Sequence, residues 1–250
     1  MLRFFRQIRQ GLLTQNKFSK YLLYAIGEIL LVVIGILIAL WVNDWNEGKK
    51  EQVKRKALLT ALSVEFNANL QQLDSVMFYN NRVIDASRKI MGLEPGQAQI
   101  PSTDTLRNWV QNTSWLWTFN PQNGALRSGI SSGDVHLIRS DSLISLLFSW
   151  QDVVADAGEN EKRHMDVQLT SGQVVGPYVR LLDFNGIPYP ELPKSDFASD
   201  YQGLIREPLY EDYIAELYSH TIDARYELKM VRKQNVKILQ LVRQELNTLE

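Results

Sequence analysis

The chain has 250 residues, of which 45% are hydrophobic and 22% charged, and its formal net charge is -1. This balance is typical of a folded protein and excludes a disordered or collagen-like chain. Without an excess of basic residues beyond the N-terminal region, the chain cannot neutralise a run of phosphates, which argues against nucleic acid as a partner. Cysteine is absent, which excludes disulfides and thiolate metal sites.

Residues 1–19 form a basic segment without acidic residues. Met1, Phe5, Ile8 and Leu12 fall near one face of a helix, and the three arginines of the segment lie off that face. This pattern predicts an amphipathic helix on the cytoplasmic surface of a membrane, with the lipid bilayer as its partner. A basic tail that only sets the membrane topology is the alternative.

Residues 20–46 are predicted to be a transmembrane anchor. Their apolar run, Tyr21–Val42, would extend about 33 Å as a helix, enough to cross a hydrocarbon core of about 30 Å. It does not end in the small residues of a signal-peptide cleavage site, which favours an uncleaved signal anchor. Aromatic residues mark both ends: Tyr21 and Tyr24, then Trp41 and Trp45.

The orientation of this anchor is predicted from its flanking charges. Five basic residues precede the span and five follow it closely, so their number does not decide. The acid-free tail next to the span favours a cytoplasmic N-terminus, since a long following domain can cross regardless of its charge. We therefore predict a single-pass protein of the inner membrane, with residues 47–250 forming a periplasmic domain.

One acidic residue, Glu28, stands inside the apolar run. It borders a stripe of small residues, Gly27, Gly35 and Ala39, that permits close approach of a second helix. The stripe predicts a helix-helix face in the membrane, with a homo-oligomer or another membrane protein as the partner. Glu28 reaching up to cytoplasmic water is an equal alternative, and a proton or ion pathway is a third.

The anchor also carries a family resemblance. "KYLLYAIGEILLVVIGILIALWVNDWNE", preceded by "FFRQIRQGLLTQNK", resembles the N-terminal signature of an uncharacterised family of single-span membrane proteins of Bacteroidota. Further along, "ALRSGISSGDVHLIRSDSLISLL" is similar to a second segment of that family. The resemblance implies a single-span anchor followed by a mostly helical domain, and it implies no activity and no catalytic residues.

Beyond the anchor, apolar spacings of three and four predict an all-α domain. We expect an elongated antiparallel bundle with a short helix-and-turn insertion packed at one end. Gly48 is a candidate hinge before the first long helix. A first helix is predicted over Lys49–Met91, followed by short helices and turns over Thr103–Leu137 with Thr103 as N-cap. A second long helix is predicted from Ser140 or Asp141 as far as Asp183, with possible breaks at Gly172 or Gly176. The last helix is predicted from Pro208 onward.

The last helix carries a regular apolar seam with a polar member. The seam consists of Leu228, Val231, Asn235, Ile238 and Val242. It predicts packing against another helix, in which Asn235 would specify the register. The alternative places Asn235 at the solvated edge of the bundle.

The insertion holds an aromatic stretch, with Trp109, Trp115, Trp117 and Phe119. Large aromatic side chains dominate the energetics of protein contacts, so the four residues are candidates for a recognition surface. The alternative is that they form the core that seals one end of the bundle.

Catalytic patterns are weak. "GISSG" has the spacing of a nucleophile elbow around Ser131, but no strand precedes it. Glu161 and His164 share a helix face, as do Glu216 and His220, yet a di-iron bundle needs more such ligands, and the charged residues around Glu161 indicate a solvated face. His136 is expected to pack or to form a hydrogen bond. No motif predicts a cofactor or a metal.

These observations favour a function without catalysis. We expect a membrane-anchored helical scaffold, sensor-like or accessory protein that acts through protein-protein contacts. The likeness to extracytoplasmic sensor domains is one of fold only. A membrane-tethered hydrolase or metalloenzyme, using Ser131 or Glu161 with His164, is the alternative.

Overall fold

The computed structural model describes residues 18–92, 101–185, 189 and 191–249. The predicted all-α class is confirmed, because these residues form helices and no strand. The basic segment predicted to form an amphipathic helix lies almost entirely outside the described residues. The helices are α1 (Phe18–Ile90), α2 (Thr103–Thr113), α3 (Gly124–Ser132), a 3₁₀ helix (Asp134–Leu137), α4 (Asp141–Val175), α5 (Leu181–Asn185), α6 (Tyr201–Leu204) and α7 (Pro208–Asn247).

The chain divides into two compact units, Met1–Arg55 and Lys56–Glu250. The described part of the first unit is helical and belongs to α1, which continues through Gly48 without a break. A glycine within a helix weakens it only by about 1 kcal/mol, and the helical residues on both sides outweigh this cost. Gly48, the candidate hinge, therefore lies within a helix in the structure.

Local signals set several helix ends. The hydroxyl of Ser102 caps α2 and that of Ser140 caps α4, and Pro208 opens α7. The predicted cap Thr103 is instead the first residue of α2. Helix α4 ends at Val175 with Gly176 as its C-cap, at one of the two predicted breaks and not at Asp183. The next residue, Pro177, lacks the backbone N–H that a further helical turn would need.

Three long helical segments form the second unit: the part of α1 from Lys56 onward, α4 and α7. Later residues of α7 contact earlier residues of α1 and of α4, so α7 is antiparallel to both helices. Helices α1 and α4 therefore run in the same direction. The contacts are Arg225 with Asn81 and Arg232 with Asp74 on α1, and Tyr213 with Gln168 and Gln234 with Leu146 on α4.

Two apolar cores lie along this bundle. The first core gathers Leu59, Leu126 and Ile238, and the second core gathers Val83 and Leu106, among others. Helix α2 thus packs in the second core and α3 in the first, so the prediction that the insertion packs at one end is wrong. Because α1 and α4 run in the same direction, the insertion must carry the chain back along the bundle before α4 begins.

Candidate functional site

The first unit offers an uncovered apolar helix. Within Ala25–Ile90, an 18-residue window has a mean hydropathy of 2.7, and none of that window is buried by the other described residues. A core helix of a soluble domain would be covered, so this one needs another apolar surround. In the described part of the chain, it is the one helix long and apolar enough to cross a membrane.

The small-residue stripe lies on this uncovered helix. A Cβ added to Gly27 or Gly35 would meet no atom within 4 Å, so nothing in the described structure blocks the approach of a second helix there. Ala39 is exposed and Glu28 is half-buried. Around Gly35 and Ala39, the described residues therefore leave the space that close helix packing requires.

Aromatic residues at the far end of the apolar run are exposed, with Trp41 at 69% and Trp45 at 56%. The ammonium group of Lys49 lies 3.8 Å from the centre of the Trp45 ring, a cation-π contact. Exposed indole rings beside a lysine are typical of a membrane-water boundary. The side chains of Tyr21 and Tyr24, at the other end, lie outside the described part.

The apolar seam of α7 packs entirely within the second unit. Its five residues, from Leu228 to Val242, are all buried, and the four apolar ones belong to the first core. The alternative that Asn235 lies at a solvated edge is wrong, since its side chain is 0% exposed. Among the described residues, neither polar atom of the Asn235 side chain has a hydrogen-bond partner. The seam packs against helices of its own chain.

The aromatic stretch divides between core and surface. Phe119 is buried in the first core, and Trp109 and Trp115 are partly buried against the second. Trp117 is 44% exposed and stacks on Tyr79, with ring centres 4.5 Å apart. Three of the four residues therefore stabilise the bundle, and one ring presents an open surface.

Glu161 is buried, with 6% of its surface exposed, so the interpretation as a solvated charged face is wrong. The extended chain after α2 covers this part of α4, and both carboxylate oxygens accept the N–H of Phe119, at 2.9 and 3.2 Å. Burial raises the pKa of the Glu161 carboxyl from 4.5 to about 7, against the opposing effect of this hydrogen bond. The carboxyl group thus anchors the insertion to α4.

His164 is buried as well, at 2% exposure, and its Nε2 has no hydrogen-bond partner in the described part of the chain. Burial, and secondly the positive charge of His220, lowers the pKa of His164 from 6.5 to about 4. His220 lies 4.0 Å from the Glu216 carboxylate. Although the fold brings the two histidines near each other, no group of three or more metal-ligating side chains is found among the described residues.

Ser131 is exposed in the last turn of α3. The "GISSG" motif is a helix end, in which Gly133 adopts a left-handed conformation with φ 78° and caps α3. A nucleophile elbow instead joins a strand to a helix. His136 is exposed, and its ring centre lies 6.5 Å from that of Phe148.

Sequence reasoning missed two polar side chains that anchor the insertion to α1. Glu65 accepts the N–H groups of Ala125 and Leu126, at 2.6 and 3.1 Å, and so caps α3. Asn69 forms two hydrogen bonds with the backbone of Gln122, both 2.8 Å long. The available signal was their position, because Glu65 and Asn69 are four apart and flank the apolar face of α1.

A cavity of about 120 Å³ lies beside the second core, where the ends of α2 and α4, the segment with α5, and the start of α7 meet. Its walls are mostly apolar. We call it the second-core cavity, and its lining includes Val110, Val175, Val179, Phe184 and Tyr213.

Residues 28–149 match the model of a family described as a family of unknown function (DUF6090). The match covers just under half of the chain and includes both most of the apolar run and the insertion. No curated protein and no solved structure matches the chain significantly. Over these residues the chain is thus similar to a domain family of unknown function.

Proposed function

We propose that this protein is a single-pass protein of the inner membrane, with a cytoplasmic N-terminus and an extracytoplasmic helical domain. It acts without catalysis, as a scaffold or accessory subunit that makes protein-protein contacts. The uncovered apolar helix carries this proposal, because no described residue of the chain covers its window of mean hydropathy 2.7. Lipid or the membrane helix of a partner supplies that cover.

The flanks of the helix support the orientation. The tail before it is basic and free of acidic residues, which favours retention in the cytoplasm. The resemblance to single-span membrane proteins of Bacteroidota supports the same topology. A basic cluster after the helix weighs against it, and a long domain can cross despite such a cluster.

The contacts of α7 support the membrane helix as the site of association. The seam of α7 is buried in its own bundle, so it offers no face to another chain. The stripe around Gly35, in contrast, is open to the approach of a second helix. We therefore assign self-association, or association with another membrane protein, to the face of Gly27, Glu28, Gly35 and Ala39.

The contacts of Glu161 support a role without catalysis. Both of its oxygens are occupied by one backbone N–H. A carboxyl group that acts in catalysis must reach a substrate, and this one is buried under the insertion. Its role as a structural anchor accounts for its burial without an enzymatic step.

The orientation is tested with two fusions after Glu250, one to a reporter enzyme active only outside the cytoplasm and one to a reporter active only inside it. Intact cells should show activity of the first fusion and silence of the second. The reverse pattern would contradict the extracytoplasmic assignment. Comparable protein levels on immunoblots make the two readings comparable.

Association is tested by cross-linking the full-length protein in native membranes. Gly35→Leu and Glu28→Leu should each reduce the yield of cross-linked oligomer severalfold. The leucine at residue 35 prevents close packing of the helices, and the leucine at residue 28 removes the carboxyl group from the face. Gly48→Leu is the matched control, since Gly48 lies outside the stripe on the same helix and also has open space around it. Equal oligomer yields in all four proteins would rule out the stripe.

A further inference from the structure

The second-core cavity has the size of a small ligand site. Its volume is about 120 Å³, and an engineered apolar protein cavity of about 150 Å³ binds benzene. Four structural elements converge on it, so its walls are fixed by the packing of the second core. One small ring or a short branched chain would fill it.

Two glycines of α4 form part of its wall. Gly176 is required by the backbone turn, because a Cβ there would collide with the Gly172 carbonyl oxygen. Gly172 is different: its backbone needs no glycine, and an added Cβ would meet nothing within 4 Å. A glycine inside a helix costs about 1 kcal/mol relative to alanine. Gly172 is exposed at the edge of the cavity, where a larger side chain has room to extend over the mouth.

The polar side chains in the wall present hydrogen-bond acceptors. Thr113 donates its hydroxyl proton to the Val110 carbonyl at 2.7 Å, and Ser114 donates to the Gln111 carbonyl at 2.7 Å. Because a hydroxyl has one proton and two lone pairs, these oxygens can only accept a further hydrogen bond.

Tyr213 is held in the same way. Its hydroxyl donates to Gln168 Oε1 at 2.8 Å, and Gln168 Nε2 donates to the Thr113 carbonyl at 2.9 Å. Burial raises the pKa of the Tyr213 phenol, so it keeps this proton in the physiological range. Ser171, the fourth hydroxyl in the wall, forms a side-chain hydrogen bond with Tyr213 that opposes the effect of burial on this pKa, so the phenolic oxygen already has a second partner.

The remaining lining is apolar. Among the described residues that line the cavity there is no carboxylate, ammonium, guanidinium or imidazole group. A charged ligand would lose its hydration without a counter-charge, which is costly. At the rim, Leu181 is 70% exposed and gives the entrance an apolar edge.

We propose that the second-core cavity binds a small uncharged molecule with a single ring or a short branched chain and one hydroxyl group. The apolar part fills the space lined by Val110, Val175 and Val179, and the ligand hydroxyl donates to one of the acceptor-only oxygens, such as that of Ser114. The site does not depend on the side of the membrane on which the domain lies.

Phenol and toluene test the site, because they have nearly the same shape and only phenol can donate. Binding to the full-length protein in detergent is measured by ligand-observed NMR and by the rise in Tm. We expect phenol to bind at least as tightly as toluene, because an unpaired buried hydroxyl would weaken binding roughly tenfold or more. Toluene binding tenfold tighter than phenol would overturn the assignment of the hydroxyl.

Gly172→Leu separates the cavity from binding to detergent. The leucine fills the mouth of the cavity, and protein-dependent phenol binding should fall at least tenfold. Gly158→Leu is the matched control, because Gly158 lies on the same helix, away from the cavity, and also has open space around it. Phenol binding that is absent from the wild type, or equal in the wild type and Gly172→Leu, would overturn the proposal.

Discussion

The carboxylate of Glu161 accepts the backbone N–H of Phe119 through both of its oxygens, at 2.9 and 3.2 Å. This contact joins α4 to the chain that returns along the bundle. Since the contact is buried, it makes the bundle sensitive to pH through the protonation of one carboxyl group.

The pH dependence of this contact has a definite sign. The pKa of Glu161 rises from 4.5 to about 7 on folding, so its contribution to stability is complete below pH 4.5 and is lost as the pH rises through 7. The loss amounts to about 3 kcal/mol. Glu161→Gln should remove it, which thermal unfolding followed by tryptophan fluorescence from pH 4 to 9 measures.

The matched control is Glu159→Gln, two residues earlier on α4 and exposed to solvent. It should keep the wild-type profile, whereas the Tm of Glu161→Gln relative to the wild type should rise between pH 5 and pH 8. If this Tm difference did not change over the interval, Glu161 would not be the titrating group.

His164 gives the opposite dependence. Its pKa falls from 6.5 to about 4 on folding, so its contribution is complete above pH 6.5 and is lost as the pH falls through 4. His164→Gln should therefore stabilise the protein at pH 4 to 5 relative to pH 8. The effects of Glu161 and His164 on the pH dependence of stability have opposite signs over nearly the same interval, so they largely cancel in the wild type. Each single variant should therefore show the pH dependence that the remaining residue causes. A Tm difference between His164→Gln and the wild type that does not change with pH would contradict this account.

Local patterns predicted much of this fold. Ser140 and Pro208 mark helix starts through neighbours in the chain, and the apolar spacing of α7 identified the side that is buried. The burial of Glu161 could not be predicted, because its charged neighbours indicate solvent and only the returning chain covers it. Likewise, the partner of Glu65 lies 60 residues away, and no local pattern links a carboxylate to a helix start so distant in the sequence.

Glu65 supplies the cap of α3 from a different helix. The local N-cap residue, Asn123, forms no side-chain cap hydrogen bond, whereas Glu65 accepts the N–H groups of Ala125 and Leu126. Glu65→Ala should therefore lower the free energy of unfolding by about 2 to 3 kcal/mol, because it leaves two N–H groups without their acceptor. Asn123→Ala should have an effect below about 0.5 kcal/mol. Denaturant unfolding of the full-length protein compares the two variants, and equal losses would show that Glu65 is not the cap.

Asn235 is expected to destabilise the core in which it lies. Both polar atoms of its side chain are buried without a partner, between Val231 and Ile238 on the seam of α7. Asn235→Leu should raise the free energy of unfolding by about 1 to 2 kcal/mol, because it replaces an unsatisfied amide with an apolar group of similar size.

Asn69→Leu is the contrasting variant, since Asn69 is equally buried but forms two hydrogen bonds with the Gln122 backbone. The loss of these bonds should lower the free energy of unfolding by about 2 kcal/mol or more. Tm values of the two full-length variants should move in opposite directions. A similar fall in both would mean that the amide of Asn235 is satisfied in solution, by an internal water or by a rearranged neighbour.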